Sequence, residues 1–75
     1  MERYRNIDGD SNIYAYEIGD DYISVQFLDG SIYLYNYLVT GIQHVEKMKT
    51  LARAGNGLNS YIMKNVRKGY ASKSR

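Results

Sequence analysis

The stretch Ile23-Ser-Val-Gln-Phe-Leu-Asp-Gly-Ser-Ile-Tyr-Leu-Tyr-Asn-Tyr37 constrains the fold more than any other part of the chain. Ile23, Val25 and Phe27 alternate with Ser24 and Gln26, the period of two of a strand buried on one side. Past Asp29-Gly30, Tyr33, Tyr35 and Tyr37 alternate with Ile32, Leu34 and Asn36, so the stretch reads as a hairpin. Its register decides which face carries the tyrosines. A two-residue type I′ loop pairs Phe27 with Ile32 and sets Val25 opposite Leu34, leaving the tyrosines on the other face. A three-residue loop with Gly30 at positive φ pairs Phe27 with Ser31, sets Val25 opposite Tyr33 and sets Ile23 opposite Tyr35. One residue of slip turns every side chain over. We favour the three-residue loop because it gathers Ile23, Val25, Phe27, Tyr33 and Tyr35 into one face large enough to require a cover. Phe27 is then a core residue whose truncation to alanine removes about 3–5 kcal/mol.

The flanking segments supply that cover. Ser11 to Ile18 reads as an earlier strand with Ile13 and Ala15 on one face and Tyr14 and Tyr16 on the other. Gly19-Asp20-Asp21 turns it into the hairpin. After residue 40 the period becomes helical. Thr40 is placed as an N-cap with Gln43 completing a capping box, and Ile42, Val45, Met48 and Ala52 share a face with Leu51 at its edge. Gly55 ends that helix in the left-handed conformation. A last helix starts near Leu58, capped by Asn59 and Ser60, with Leu58, Ile62 and Val66 as an apolar stripe and Lys64, Arg67 and Lys68 opposite. The expected fold is α+β: a three-stranded antiparallel meander (12–18, 22–28, 31–37) followed by two helices packed on one face, βββαα. Residues 1–10 are expected to be a flexible arm, 11–70 a single domain, and 71–75 a fraying basic tail.

At 75 residues the chain can bury one small core, and with no cysteine it has neither disulfides nor thiolate metal sites. No signal-peptide pattern or long apolar run is visible, so the default expectation is a cytoplasmic protein with no membrane contact. The net charge of +2 conceals a split. Residues 1–46 carry all eight acidic groups and two basic ones, net −6, whereas residues 47–75 carry eight basic groups and no acidic one. Such a split points to a basic face and an acidic partner, although turn-forming aspartates account for part of it. Nine tyrosines suit half-buried strands, interfaces and base stacking alike. Candidate nucleic-acid-binding residues are Lys49, Arg53, Lys64, Arg67 and Lys68, with Tyr14 and Tyr16 as stacking platforms. The competing explanations are a solvated helix face near a helix C-terminus for the cations and core packing for Tyr33 and Tyr35. Glu46, three residues before Lys49, offsets part of the charge. His44 has no partner at a catalytic spacing, Asp8-Gly9-Asp10 lacks the rest of a calcium loop, and no cofactor motif occurs, so catalysis and metal binding are not expected.

With these residues placed, the chain resembles the KTSC domain, a short module named for its position at the C-terminus of some lysyl-tRNA synthetases. The resemblance rests on Ser11-Asn12-Ile13, Ile23-Ser24-Val25-Gln26-Phe27, Gly30, Tyr33-Leu34-Tyr35 and Gly57-Leu58-Asn59-Ser60-Tyr61-Ile62, in that order over about residues 11–70. The turn before the second strand is shorter than the family pattern, and the proline often found after Tyr-x-Tyr is missing around Val39-Thr40. It implies a stand-alone member of a family without an assigned function, suspected of binding RNA, and carries over no catalytic or ligand residue. The expected function is a non-catalytic module that binds RNA or single-stranded nucleic acid through its basic C-terminal helix and exposed tyrosines. The alternative is a protein-interaction or homo-oligomerisation module using a sheet edge and the tyrosine-rich face.

Overall fold

The hairpin closes with the three-residue loop. In a computed structural model, which describes residues 1–7, 9 and 11–74, the Phe27 N–H donates to the Ser31 carbonyl and the Gly30 N–H to the Phe27 carbonyl, both at 2.9 Å. Gly30 has a φ of 92°, a conformation in which a Cβ is disfavoured. The Asp29 carboxylate accepts from the Ser31 N–H at 2.9 Å and from its hydroxyl at 2.6 Å, locking the turn.

The chain is α+β, with strands β1 (Glu2–Arg3), β2 (Ile13–Ile18), β3 (Tyr22–Phe27) and β4 (Ile32–Asn36), helix α1 (Ile42–Ala54), helix α2 (Leu58–Tyr61) and strand β5 (Ser72–Ser74). A π-helical turn over Ile62–Val66 prolongs α2. The sheet is antiparallel with strand order β1-β2-β3-β4-β5. Ile23 pairs with Tyr35 and Val25 with Tyr33, as the favoured register requires. Ile23, Val25 and Tyr35 are buried against Val45, Met48 and Ala52 of α1 and Leu58, Ile62 and Val66 of the last helix.

Among the described residues five strands replace the expected meander of three. β1 adds to β2, with Glu2 opposite Tyr16 and Arg3 opposite Ala15, so Glu2 and Arg3 form a strand within the expected arm. Beyond β1, Tyr4 is 5% exposed and its hydroxyl accepts the Leu58 N–H at 3.2 Å. That N–H is one of the donors a helix start leaves without an internal partner. The cap expected from Asn59 and Ser60 is thus supplied by a residue far off in sequence. The Ile7 N–H donates to the Gly55 carbonyl at 2.8 Å, and the Arg5 guanidinium donates to the Arg53 carbonyl at 2.7 Å. At the other end Ser72 pairs with Leu34, Lys73 with Tyr33 and Ser74 with Ile32, so this part of the expected tail is a strand. The Asp8-Gly9-Asp10 turn and the terminal Arg75 fall on or next to positions outside the described residues.

Three local expectations are corrected. A bulge between Ile13 and Ala15 places Ile13 opposite Phe27 and Tyr16 opposite Val25, so both face the core and Tyr16 is 6% exposed. Thr40 does not cap α1; Gly41 takes that position, and the Thr40 hydroxyl donates to the Gly69 carbonyl. Ile42 lies outside the buried face of α1 and is 56% exposed. Gly55 does end α1 in the left-handed conformation, at φ 74°. A Cβ there would lie 2.8 Å from the Arg5 Cβ.

Phe27 is half-buried rather than enclosed, because its ring lines an open cleft between the β3–β4 turn and the last helix. Ile23→Ala is therefore expected to cost about 2–5 kcal/mol and Phe27→Ala less than the full aromatic penalty. Urea melts in which Phe27→Ala is the more damaging change would contradict this placement of the core. Gly55→Ala is expected to cost about 1–2 kcal/mol from its backbone conformation alone, a fall in Tm of several degrees for a domain this size.

Candidate functional site

The uncovered end of the sheet is a cleft of about 600 Å³ between the β3–β4 turn and the last helix. Phe27, Tyr33 and Tyr35 line it from the sheet, Asn59, Ile62, Met63, Arg67 and Lys68 from the helical side, and Tyr70 from the segment before β5. Alternation explains the sheet contribution: residues 27, 33 and 35 share the covered face, and exposure rises toward the turn. Tyr33 is the hub of the aromatic cluster. Phe27 meets it edge-on at 5.3 Å, Tyr70 edge-on at 4.8 Å, and Tyr35 lies nearly parallel at 6.4 Å. Such geometries suit the quadrupoles of the rings. Lys73, opposite Tyr33 in the ladder, holds its ammonium 5.4 Å from the Tyr33 ring centre.

Polar groups complete the lining. Tyr35 is 1% exposed, and its hydroxyl has no hydrogen-bond partner among the described residues. No fully enclosed polar side-chain atom among the described residues lacks a partner, so the residual exposure of Tyr35 is at its hydroxyl, facing the cleft. Burial, followed by the neighbouring Tyr33 and Tyr70, pushes the phenol far above its ordinary pKa, so the hydroxyl stays protonated across the physiological range. Asn12 and Asn59 bring side-chain amides without partners among the described residues. The carboxylate of Asp29 is engaged by Ser31.

Of the residues expected to bind nucleic acid, Arg67 and Lys68 are exposed on the rim of this cleft. Lys64 is exposed beside an adjoining cleft, which shares Asn59 and Met63 with the first. Among the described residues none of these three cations has an ion-pair partner. Arg53 lies elsewhere, in a groove with Arg3, Arg5 and Tyr16. Tyr14 is 40% exposed on the open face, but the Arg3 guanidinium already covers its ring at 4.4 Å. Tyr16 is withdrawn into the core by the bulge.

Lys49 is withdrawn as well. It is 5% exposed, and its ammonium donates to the Asp20 carbonyl at 2.9 Å and to the Glu46 carboxylate at 2.8 Å. The Tyr37 hydroxyl also donates to that carboxylate, and the Lys49 ammonium sits 5.5 Å from the Tyr37 ring centre. The hydrogen bond from Lys49, then that from Tyr37, holds the Glu46 carboxyl below its ordinary range. Burial on its own would lower the Lys49 pKa, but the Glu46 hydrogen bond and charge, with Tyr37, outweigh it and leave it raised. The group ties the loop at Asp20 to α1 and is structural. His44 shares a 2.7 Å hydrogen bond with the Tyr61 hydroxyl and links α1 to α2.

The aromatic cleft is the part of the site that the sequence did not single out. Tyr33 and Tyr35 are legible in the sequence as core-facing; the opening beside Tyr33 and the place of Tyr70 in its lining are not. No protein-family model, curated protein or solved structure matches the chain. Among the described residues no helix is long and apolar enough to cross a membrane.

Because the folded-state pKa of Glu46 is depressed, its stabilising contribution is complete above the unfolded carboxylate value, about 4.3, and disappears as pH falls through the folded value. Glu46→Gln is expected to lower Tm at neutral pH by leaving the buried ammonium without its countercharge. The gap from the native protein should narrow below about pH 4. A gap that widens on acidification would show that the Glu46 pairing is not what the substitution removes.

Proposed function

We propose that this protein is a non-catalytic module that binds single-stranded nucleic acid, with RNA as the favoured form, along its last helix and the aromatic cleft beside it. The observation that carries the proposal is the cleft itself: four aromatic rings next to Arg67 and Lys68, two cations without ion-pair partners among the described residues. Proteins that bind single strands combine such a basic track with aromatic surfaces for unpaired bases. Lys64, beside the adjoining cleft, and Lys73, over Tyr33, add two further cations to the basic group. The KTSC likeness belongs to the same proposal and rests on the order of its motifs.

A second proposal, a protein-interaction module, draws on a different surface. Leu38, Val39 and Ile42, at the entry to α1, are 92%, 55% and 56% exposed. The sheet edges offer it less: β1 and β5 cover the meander, and the new edges are only two and three residues long. Light scattering over a concentration series, with a nuclease-treated pull-down, separates the two readings.

For single strands, log K falls with log[salt] by roughly 0.7 per phosphate neutralised. With Lys64, Arg67, Lys68 and Lys73 each meeting one phosphate, the expected slope is roughly −3. Arg67→Ala and Lys68→Ala should each flatten it by about 0.7 with Tm unchanged, since both side chains are exposed. Lys49→Met should leave the slope as it is. Absence of binding to any single strand at low salt would overturn the proposal.

A further inference from the structure

We infer that the cleft beside Tyr33 is a pocket for one unstacked nucleobase, with Tyr35 as the residue that reads the edge of that base. The inference rests on the single-strand reading above and assigns the cleft a narrower task. The Tyr35 ring is enclosed, and its hydroxyl keeps its residual exposure at the cleft with no hydrogen-bond partner among the described residues. A ligand that enters the cleft and takes water from that hydroxyl must supply a hydrogen bond in its place. A phenol both donates and accepts, as does the Asn59 amide in the same lining. Together they offer complementary contacts to the polar edge of a base and none to an aliphatic side chain.

The rest of the lining fits the rest of a nucleotide. Phe27, Tyr33 and Tyr70 line the cleft with aromatic rings, and Met63, 46% exposed, belongs to the same lining. Arg67 and Lys68, exposed in the same lining, offer cations to the phosphate of a nucleotide held in the cleft. About 600 Å³ lies within the usual range for small-ligand pockets and has room for a single nucleotide unit. A phenylalanine side chain would fill the same space but leave the Tyr35 hydroxyl without a partner.

The test uses the full chain and ribo-octamers of A, C, G and U, with an abasic octamer of the same phosphate spacing. Affinities are measured by fluorescence anisotropy for the native protein, Tyr35→Phe and Asn59→Ala. Tyr35→Phe breaks no protein hydrogen bond among the described residues, and Asn59 is half-buried at the surface, which gives a second probe should the core variant fail to fold. The native protein is expected to bind at least one base-bearing octamer about tenfold more tightly than the abasic one, the worth of one well-made hydrogen bond. Tyr35→Phe should lose most of that margin while keeping its abasic affinity and salt slope, and Asn59→Ala should lose part of it. Equal affinity of the native protein for all five octamers, or an undiminished margin in both variants, overturns the base pocket and leaves the single-strand reading standing. Binding to none of them at low salt overturns both.

Discussion

The closure of the β3–β4 turn through Gly30 is the constraint on which the other features depend. Because Phe27 pairs with Ser31, the side chains of Ile23, Val25, Tyr33 and Tyr35 fall on one face. The alternative register would put three tyrosines on the face with Ser24 and Gln26 and would set Ile32 and Leu34 beneath the helices. Either arrangement buries apolar area. Only the observed one puts phenol hydroxyls at the margin of the core, where they can reach a cleft.

The cleft lies along the last helix, whose Asn59, Ile62, Met63 and Arg67 line it together with Phe27, Tyr33 and Tyr35 of the sheet. Burial declines along the sheet toward it, from 0% exposed at Ile23 and Val25 to half-buried at Phe27 and Tyr33. The open end is the side of the molecule on which Arg67 and Lys68 emerge.

Much of this was legible in the sequence wherever periodicity runs over enough residues. The hairpin register, the Leu58-Ile62-Val66 stripe and the left-handed stop at Gly55 were all read from local pattern. What escaped depends on contacts distant in sequence or on residues that serve two environments. β1 and β5 have two and three residues, too few to show a period, and they pair because the meander has open edges. Tyrosine is at home on either face, so alternation alone could not reveal the bulge that turns Tyr16 inward. Lys49 shows the same ambiguity: its aliphatic stem packs inside while Asp20 and Glu46 satisfy the ammonium.

The contacts that escaped are also the ones that fix the last helix. Tyr4 caps its first turn, Ile7 and Arg5 bind the corner before it, His44 holds Tyr61, and Thr40 holds the chain at Gly69 beyond its end. Beside the π-helical turn the Asn65 amide donates to the Tyr61 carbonyl at 3.2 Å, a side-chain bond back to the preceding turn. Both ends of the helical segment are thereby tied to parts of the chain outside it. A cleft whose two walls are fixed in this way has little ordering left to do when a ligand enters. That matters in a domain of 75 residues, because the net stability of such a domain is only about 4–11 kcal/mol, and ordering a loose wall would draw on it. The short strands at the termini thus act beyond closing the sheet: β1 leads into Tyr4 and the corner contacts, and β5 carries Lys73 to the ring at the centre of the aromatic cluster.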